Sequence, residues 1–499
     1  MGNEQIQNRR HDTIYYINSV IGILIMVFFQ YLPAPAPITP AGMAILGQMI
    51  GLIYLWTFVD LVWPAFLGII MFGFYAMTIY PSSWQLSGVY EAGMESFGSW
   101  IALFALGCMI LSVALEEVGT IRRITMWFIT RKFAQKSPWA FSFMFLLATF
   151  IIGAFMDCVA AQFFMFGIAH EIFDQMGFKK GDAWPRYMIT ATTFTIIITF
   201  AMTPICHTTS ILWMGIYSGI TGTPANILSY MAVGVPIGIV LFALMLVWFR
   251  FACKIDISQF QQIDFKELES RRPGPMGIKE KIVSIVCLVV LVLWLLPGFL
   301  GVFAPQSPIN TFLNSITATT PLFLAIALLA VIHVDGKPVL DMNTALKKVD
   351  WGTYLFLGSM MMIATSLGED TTGISGFIAN NIVPLANGMT PYAVVALIAV
   401  LSCLVTNVAN NIPVGIIFVS VGVPMALSMN FNPYLIVVAI CLGANLAYTI
   451  PPAFVPVGVA YADPYCRGIT VLKNGIAMTV ISCAVLALLV YPLGVLFLG

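Results

Sequence analysis

Apolar residues run in long blocks instead of alternating with polar ones. The blocks cover roughly 14–32, 41–59, 61–80, 99–115, 138–173, 186–218, 227–250, 282–303, 319–333, 352–367, 391–428, 432–462 and 473–498. About 20 mostly apolar residues in a helix cross a hydrocarbon core of about 30 Å. The pattern therefore predicts an all-α polytopic membrane protein of about 11 spans, several of them interrupted by polar or helix-breaking residues. One long hydrophilic segment, 251–281, divides the chain into two halves of similar size, 1–250 and 282–499.

Composition agrees with this. The chain is 60% hydrophobic and only 9% charged, where a soluble domain carries about 25% charged residues. Its surface is unsuited to water, and a multi-pass protein of the cell membrane is expected. The formal net charge is zero, which argues against a nucleic-acid partner. The nine cysteines are scattered, with no CxxC pair and no zinc spacing, so neither a metal centre nor a disulfide framework is expected; no cofactor is expected. The polar start leads into a long span with no small-residue cleavage site, so no cleaved signal peptide is expected.

The two halves share landmarks. Residues 98–119 and 349–373 each contain a Trp (Trp100, Trp351), a Gly seven residues on (Gly107, Gly358) and an acidic pair (Glu116-Glu117, Glu369-Asp370). About 57 residues after each Trp comes a polar break, AFMDCVAAQ around Asp157 and LVTNVANNIP around Asn407 to Asn411. About 45 residues later come FAMTPICHTTS around Pro204 and AYTIPPAFVP around Pro451. The order predicts two repeats, read as inverted, each with a re-entrant hairpin (99–130 and 352–385) and two broken helices (near 157 and 204, and near 407–411 and 451). One ordinary span followed by an amphipathic surface helix is the other reading of 99–130 and 352–385.

Unpaired backbone groups are costly in hydrocarbon, so helices break there only where they are buried or line a cavity. Transporters use such breaks, with half-helix N-termini facing anions and freed carbonyls facing sodium. The candidate substrate-binding residues are accordingly Asp157, Cys158, Thr203, Pro204, Asn407, Asn410, Asn411 and Pro451. Asp157 is an acid amid apolar residues, and such residues are functional candidates by default. It can act as cation ligand, proton carrier or partner of a broken helix. His207 either titrates near neutral pH or packs as a satisfied core residue. No zinc motif or Ser/His pair at helical spacing suggests an enzyme, and no pore repeat suggests a channel.

These landmarks resemble the divalent anion/sodium symporter family of the ion transporter superfamily, from about residue 41 to the end. WTFVDLVWPAFLG, WIALFALGCMILSVALEEVG and YMAVGVPIGIVLFAL look like family segments. TNVAN at 406–410 resembles the second Ser-Asn-Thr motif, with Asn407 on its Asn, and Thr449 to Pro452 resembles a Thr-Pro-Pro stretch. The first motif is here Met156-Asp157-Cys158, an acid in place of a neutral amide. The resemblance implies a sodium site from Ser402, Asn407 and Thr449, with Asp157 a further candidate ligand. The hydroxyl equivalent to Ser402 is replaced by Ile152 in the first half. ANNIP at 409–413 also resembles arsenite permeases and sodium/proton antiporters.

The resemblance further implies a homodimer working by an elevator movement. The expected function is secondary active transport of a small anion, a di- or tricarboxylate, coupled to sodium, the expected coupling ion, or to protons. Cation/proton antiport and inorganic oxyanion permeation are the alternatives. Basic clusters at Arg122-Arg123, Arg131-Lys132 and Lys136, and again in 250–281, are both expected to be cytoplasmic. Three apolar stretches lie between them, so one does not cross simply, and the broken 186–218 stretch is the expected exception.

Overall fold

The computed structural model describes residues 13–60, 62–79, 90, 93–94, 97–98, 100–205, 207–253, 255, 273–303, 306–316, 319–349, 351–367, 370–381, 383–386 and 388–498. Cys206, Glu369 and most of the 251–281 linker lie outside them. The first half holds α1 (Thr13–Phe28), α2 (Pro40–Phe58), α3 (Val62–Ile79), α4 (Trp100–Glu117), α5 (Thr120–Ile129), α6 (Pro138–Gly153), α7 (Cys158–Gln175), α8 (Ala183–Met202), α9 (Thr208–Thr221) and α10 (Ile227–Val247). The second holds α11 (Ile278–Phe303), α12 (Pro308–Ser315), α13 (Thr319–Val331), α14 (Met342–Lys348), α15 (Trp351–Leu367), α16 (Ile374–Asn381), α17 (Pro391–Thr406), α18 (Asn411–Ser428), α19 (Pro433–Asn445), α20 (Val455–Ala462) and α21 (Gly468–Leu498). Between α13 and α14, His333–Val334 and Lys337–Pro338 pair as a two-stranded ribbon.

Four helical stretches among the described residues are long and apolar enough to cross a membrane by length and composition: Thr13–Tyr31, Ile227–Ala252, Asn411–Ser428 and Gly468–Leu498. Large apolar side chains stand exposed on such helices, Ile14 and Val20 on α1 and Val480 and Leu488 on α21 among them. That surface suits lipid and not water.

Contacts at helix ends sort the bundle. At one end, the Arg250 guanidinium lies 4.6 Å from the centroid of Trp139, and Arg467 lies against Gly181. Arg123 pairs with Glu280 at 2.5 Å, Lys348 pairs with Glu117 at 3.1 Å, and the 10 residues of α5 join these two groups. A helix that short is only about 15 Å long and does not span a bilayer. The opposite end holds Asn226, whose carbonyl accepts from the Tyr434 hydroxyl at 2.6 Å, and Asn432, which donates to the carbonyl of Leu498 at 3.1 Å.

The chain reverses where a continued span was expected. Phe141 near the start of α6 and Phe173 near the end of α7 both lie against Trp184, at 6.2 and 5.4 Å between centroids. Helices in line would hold these two residues about 48 Å apart at 1.5 Å per residue. So α6 and α7 form a hairpin with its base at the basic end, its arms packed on α8. In the second half, Tyr392 at the start of α17 lies against Tyr491 of α21, at 5.5 Å, and the chain leaves α18 beside Leu498. Thus α17 and α18 form a hairpin with its base at the far end, with both arms on α19.

The segments 99–130 and 352–385, where the hairpins were expected, hold α4 with α5 and α15 with α16. Here α5 packs along the hairpin arm α6 and α16 along α18. On α5, Thr125, Met126 and Ile129 face inward while Arg122 is exposed, so the amphipathic-helix reading describes 120–129. The charge conflict also resolves. The 138–173 stretch, not 186–218, is the one that enters and returns. The broken helix α8–α9 runs out to the far end, and α10 brings the chain back to Arg250.

Candidate functional site

The hairpins are built alike. The first arms, α6 and α17, each have 16 residues, and the second arms, α7 and α18, each have 18. Ser137 and Thr390 start the first arms, each ahead of a proline, accepting from Ala140 N at 3.1 Å and Ala393 N at 3.3 Å. A serine or threonine cap followed by proline satisfies the first orphan amides and presets the first turn. Residues 154–157 and 407–410 make the tips.

Asp157 and Asn410 cap the second arms. Asp157 Oδ1 accepts from Val159 N and Ala160 N, both at 3.0 Å, and Asn410 Oδ1 accepts from Ile412 N at 2.9 Å. A carboxylate at a helix N-terminus meets the positive end of its dipole, which gives the unusual acid a structural cause. Asp157 is exposed, Asn410 half-buried, and Cys158 buried behind its tip. By position in the tip, Asp157 is level with Asn410, while Ala154 is level with Asn407. The motif-based pairing of Asp157 with Asn407 therefore gives way to a register shifted by three residues. Thr149, not Ile152, then stands level with Ser402. The Thr149 hydroxyl donates to Phe145 O at 3.0 Å and that of Ser402 to Ala399 O at 3.0 Å.

A broken helix lies against each tip. α8 stops at Met202 and α9 starts at Thr208, with the buried Thr203 and Pro204 between them. Thr203 Oγ1 donates to Ala154 O at 2.8 Å. α19 stops at Asn445 and α20 starts at Val455, and Thr449 Oγ1 donates to Asn407 O. Pro451, in this second break, is exposed. Asn407, only 4% exposed, staples tip to break. Its Nδ2 donates to Cys403 O at 2.7 Å and Leu446 O at 2.9 Å, and its Oδ1 accepts from Tyr448 N at 2.8 Å. Gly443 permits this approach, since a Cβ there would sit 2.2 Å from Ser402 Oγ and 2.6 Å from Ala399 O.

The two halves are joined by residues of which the sequence reading named only Asn411. Asn445 Oδ1 accepts from Thr209 Oγ1 at 2.9 Å, and its Nδ2 reaches Ser210 Oγ at 2.8 Å. Asn411 Nδ2 stands 3.5 Å from Asn445 Oδ1, and Asn411 N donates to Ala453 O at 3.3 Å. Gln162 of α7 donates to Pro456 O at 2.9 Å and to Thr193 Oγ1 at 3.1 Å. At the basic end, His170 Nε2 lies 2.8 Å from Asp463 Oδ2. The only sequence signal for Asn445 and Gln162 was a lone amide in an apolar run. A cavity of about 360 Å³ separates the first tip (Phe155, Met156) from α4 and α11 (Cys108, Ser112, Trp294).

Two capped hairpin tips, each locked to a broken helix, are an arrangement suited to a membrane transporter. The profile of a family described as citrate transporter matches residues 49–443, and the chain belongs to that family. It is 24% identical over 417 residues to the sodium-dependent dicarboxylate transporter SdcS of Staphylococcus saprophyticus, covering 80% of this chain and 78% of that one. It is 25% identical over 237 residues to the Na(+)/citrate cotransporter of Rattus norvegicus, covering 43% of this chain and 41% of that one. Among solved structures, the YdaH transporter of Alcanivorax borkumensis superposes with a TM-score of 0.55 at 12% identity, over 91% of this chain and 98% of that one. MtrF of Neisseria gonorrhoeae gives 0.55 at 14% identity, over 97% and 94%. These two likenesses concern the fold alone.

Proposed function

We propose that the protein is a sodium-coupled symporter of a di- or tricarboxylate. The observation that carries the reading is the pair of capped tips, at 154–157 and 407–410, each bonded to a broken helix and each approached from the opposite end of the bundle. The relatives named for sodium-dependent dicarboxylate and citrate transport support the substrate class. Substrate carboxylates lie between the helix N-termini of α7 and α18, contacted by Asp157, Cys158, Asn410 and Asn411, with Thr203, Pro204, Asn407 and Pro451 lining the breaks. Sodium is held in the second half by Ser402, Asn407, Thr449 and freed carbonyls.

The halves act as two inverted repeats, 1–250 and 282–499 joined by 251–281. Each now has its re-entrant hairpin at 138–175 or 391–428. The hairpins and broken helices move as a unit past α1–α4 and α11–α15 by an elevator motion, in a homodimer. Purified protein in liposomes should accumulate labelled succinate or citrate under an inward sodium gradient. Failure to take up any carboxylate under sodium or proton gradients overturns the reading, and sodium/proton exchange without solute would replace it with antiport.

A further inference from the structure

His207 closes the break between α8 and α9 in an unusual way. The ring is fully buried. Its Nδ1 lies 2.6 Å from the carbonyl oxygen of Thr203, and its Nε2 lies 3.1 Å from the carbonyl oxygen of Met156 at the first hairpin tip. A carbonyl oxygen only accepts, and a neutral imidazole has one N–H. Both contacts are hydrogen bonds only when both ring nitrogens carry hydrogen. The Thr203 hydroxyl, 3.5 Å from Nδ1, already gives its proton to Ala154 O. A neutral ring leaves one buried carbonyl facing a bare nitrogen, an unmade hydrogen bond that burial makes costly.

We propose that His207 is a proton-binding site of the transporter: doubly protonated, it clamps the first hairpin tip to the broken helix, and losing the proton releases the clamp. The proposal rests on the transport reading above and adds a coupling residue to it. The titratable group acting on the ring from the hairpin is Asp157. α8 contributes Phe200, whose ring centroid is 4.5 Å away, the break contributes Thr203, and Phe454 from the second half packs against Phe200 at 4.8 Å. In the second half the tip is held instead by the amide of Asn407, which donates to the carbonyls of Cys403 and Leu446 and cannot titrate. The halves are therefore chemically unequal, a proton site in the first and a sodium site in the second. The proton comes from water on one side of the membrane and is returned to water on the other.

Two readouts test this. Histidine labelled with nitrogen-15 in purified protein reports both ring nitrogens directly. The chain has four histidines, so the His207 signal is assigned by its loss in His207→Gln, or by elimination with His11→Gln, His170→Gln and His333→Gln if the first variant does not fold. An imidazolium signal near neutral pH that converts to a neutral one as pH rises is expected. A ring that stays neutral, with one protonated nitrogen at every pH, overturns the proposal. In liposomes at a fixed sodium gradient, an added inward proton gradient should raise wild-type carboxylate uptake severalfold. In His207→Gln the ratio with and without that gradient should fall to one, whatever the absolute rate. An unchanged ratio overturns the proposal. Absent carboxylate uptake with an intact imidazolium signal instead strikes at the substrate reading alone.

Discussion

Thr203 and Thr449 make the same bond in opposite halves of the molecule. Each hydroxyl, from a broken helix, donates to the carbonyl of the first tip residue of its hairpin, Ala154 and Asn407 respectively. Both threonines are buried, so each bond closes an otherwise orphaned carbonyl without water. Thr203→Val and Thr449→Val keep the shape and remove the donor. Each should lower the unfolding free energy by about 1–3 kcal/mol. Thermal unfolding in detergent measures this, and a Thr449 variant as stable as wild type would show that the bond is not held in solution.

Asn407 carries more of the second junction than any cap. Asn407→Ala removes the amide donor to the carbonyls of Cys403 and Leu446 and the acceptor for the amide of Tyr448 together, a loss of at least about 2 kcal/mol. Asn407→Asp keeps the acceptor for Tyr448 but sets a carboxylate against two carbonyls, and should be no better tolerated. In liposomes, both variants should need more sodium for half-maximal uptake. Wild-type sodium dependence in either would remove Asn407 from the cation site.

The loop after α20 carries a pH signature. The Tyr465 hydroxyl donates to Asp174 Oδ1 at 2.5 Å, and the bond to this carboxylate, helped by burial, pushes the phenol up to about 12. An unfolded tyrosine titrates near 10, so the contribution of this contact is complete below pH of about 10 and fades as pH rises through about 12. The stability difference between wild type and Tyr465→Phe should shrink over that window. A difference that holds constant through it would contradict the assignment.

Membrane orientation follows from the gathering of Arg122, Arg123, Arg131, Lys132, Arg250, Lys348 and Arg467 at one end, which the positive-inside rule makes cytoplasmic. A single cysteine at Lys132 or Lys348, in a protein otherwise free of cysteine, should resist an impermeant maleimide added to intact cells. One at Asn430, between α18 and α19, should react. The reverse pattern would invert the protein in the membrane.

Membrane residence and the places near 157, 204, 407–411 and 451 where helices stop were legible in the sequence. They follow from local chemistry: apolar runs of spanning length, prolines, and polar residues set within them. Direction was not legible. The Asn411–Ser428 arm passes the length and apolarity test of a span, yet it returns to the end its partner arm came from. An apolar helix looks the same in composition whether it crosses or turns back, because lipid and packed protein select the same side chains. The register of the halves was hidden for a related reason. Asp157 stands out by its charge in an apolar run, but its place is set by the amides of Val159 and Ala160 that it caps. Only the tertiary structure could decide which carbonyls Asn407, Thr203 and His207 meet, since those partners lie on other helices and each bond forms only when a tip is pressed into a break.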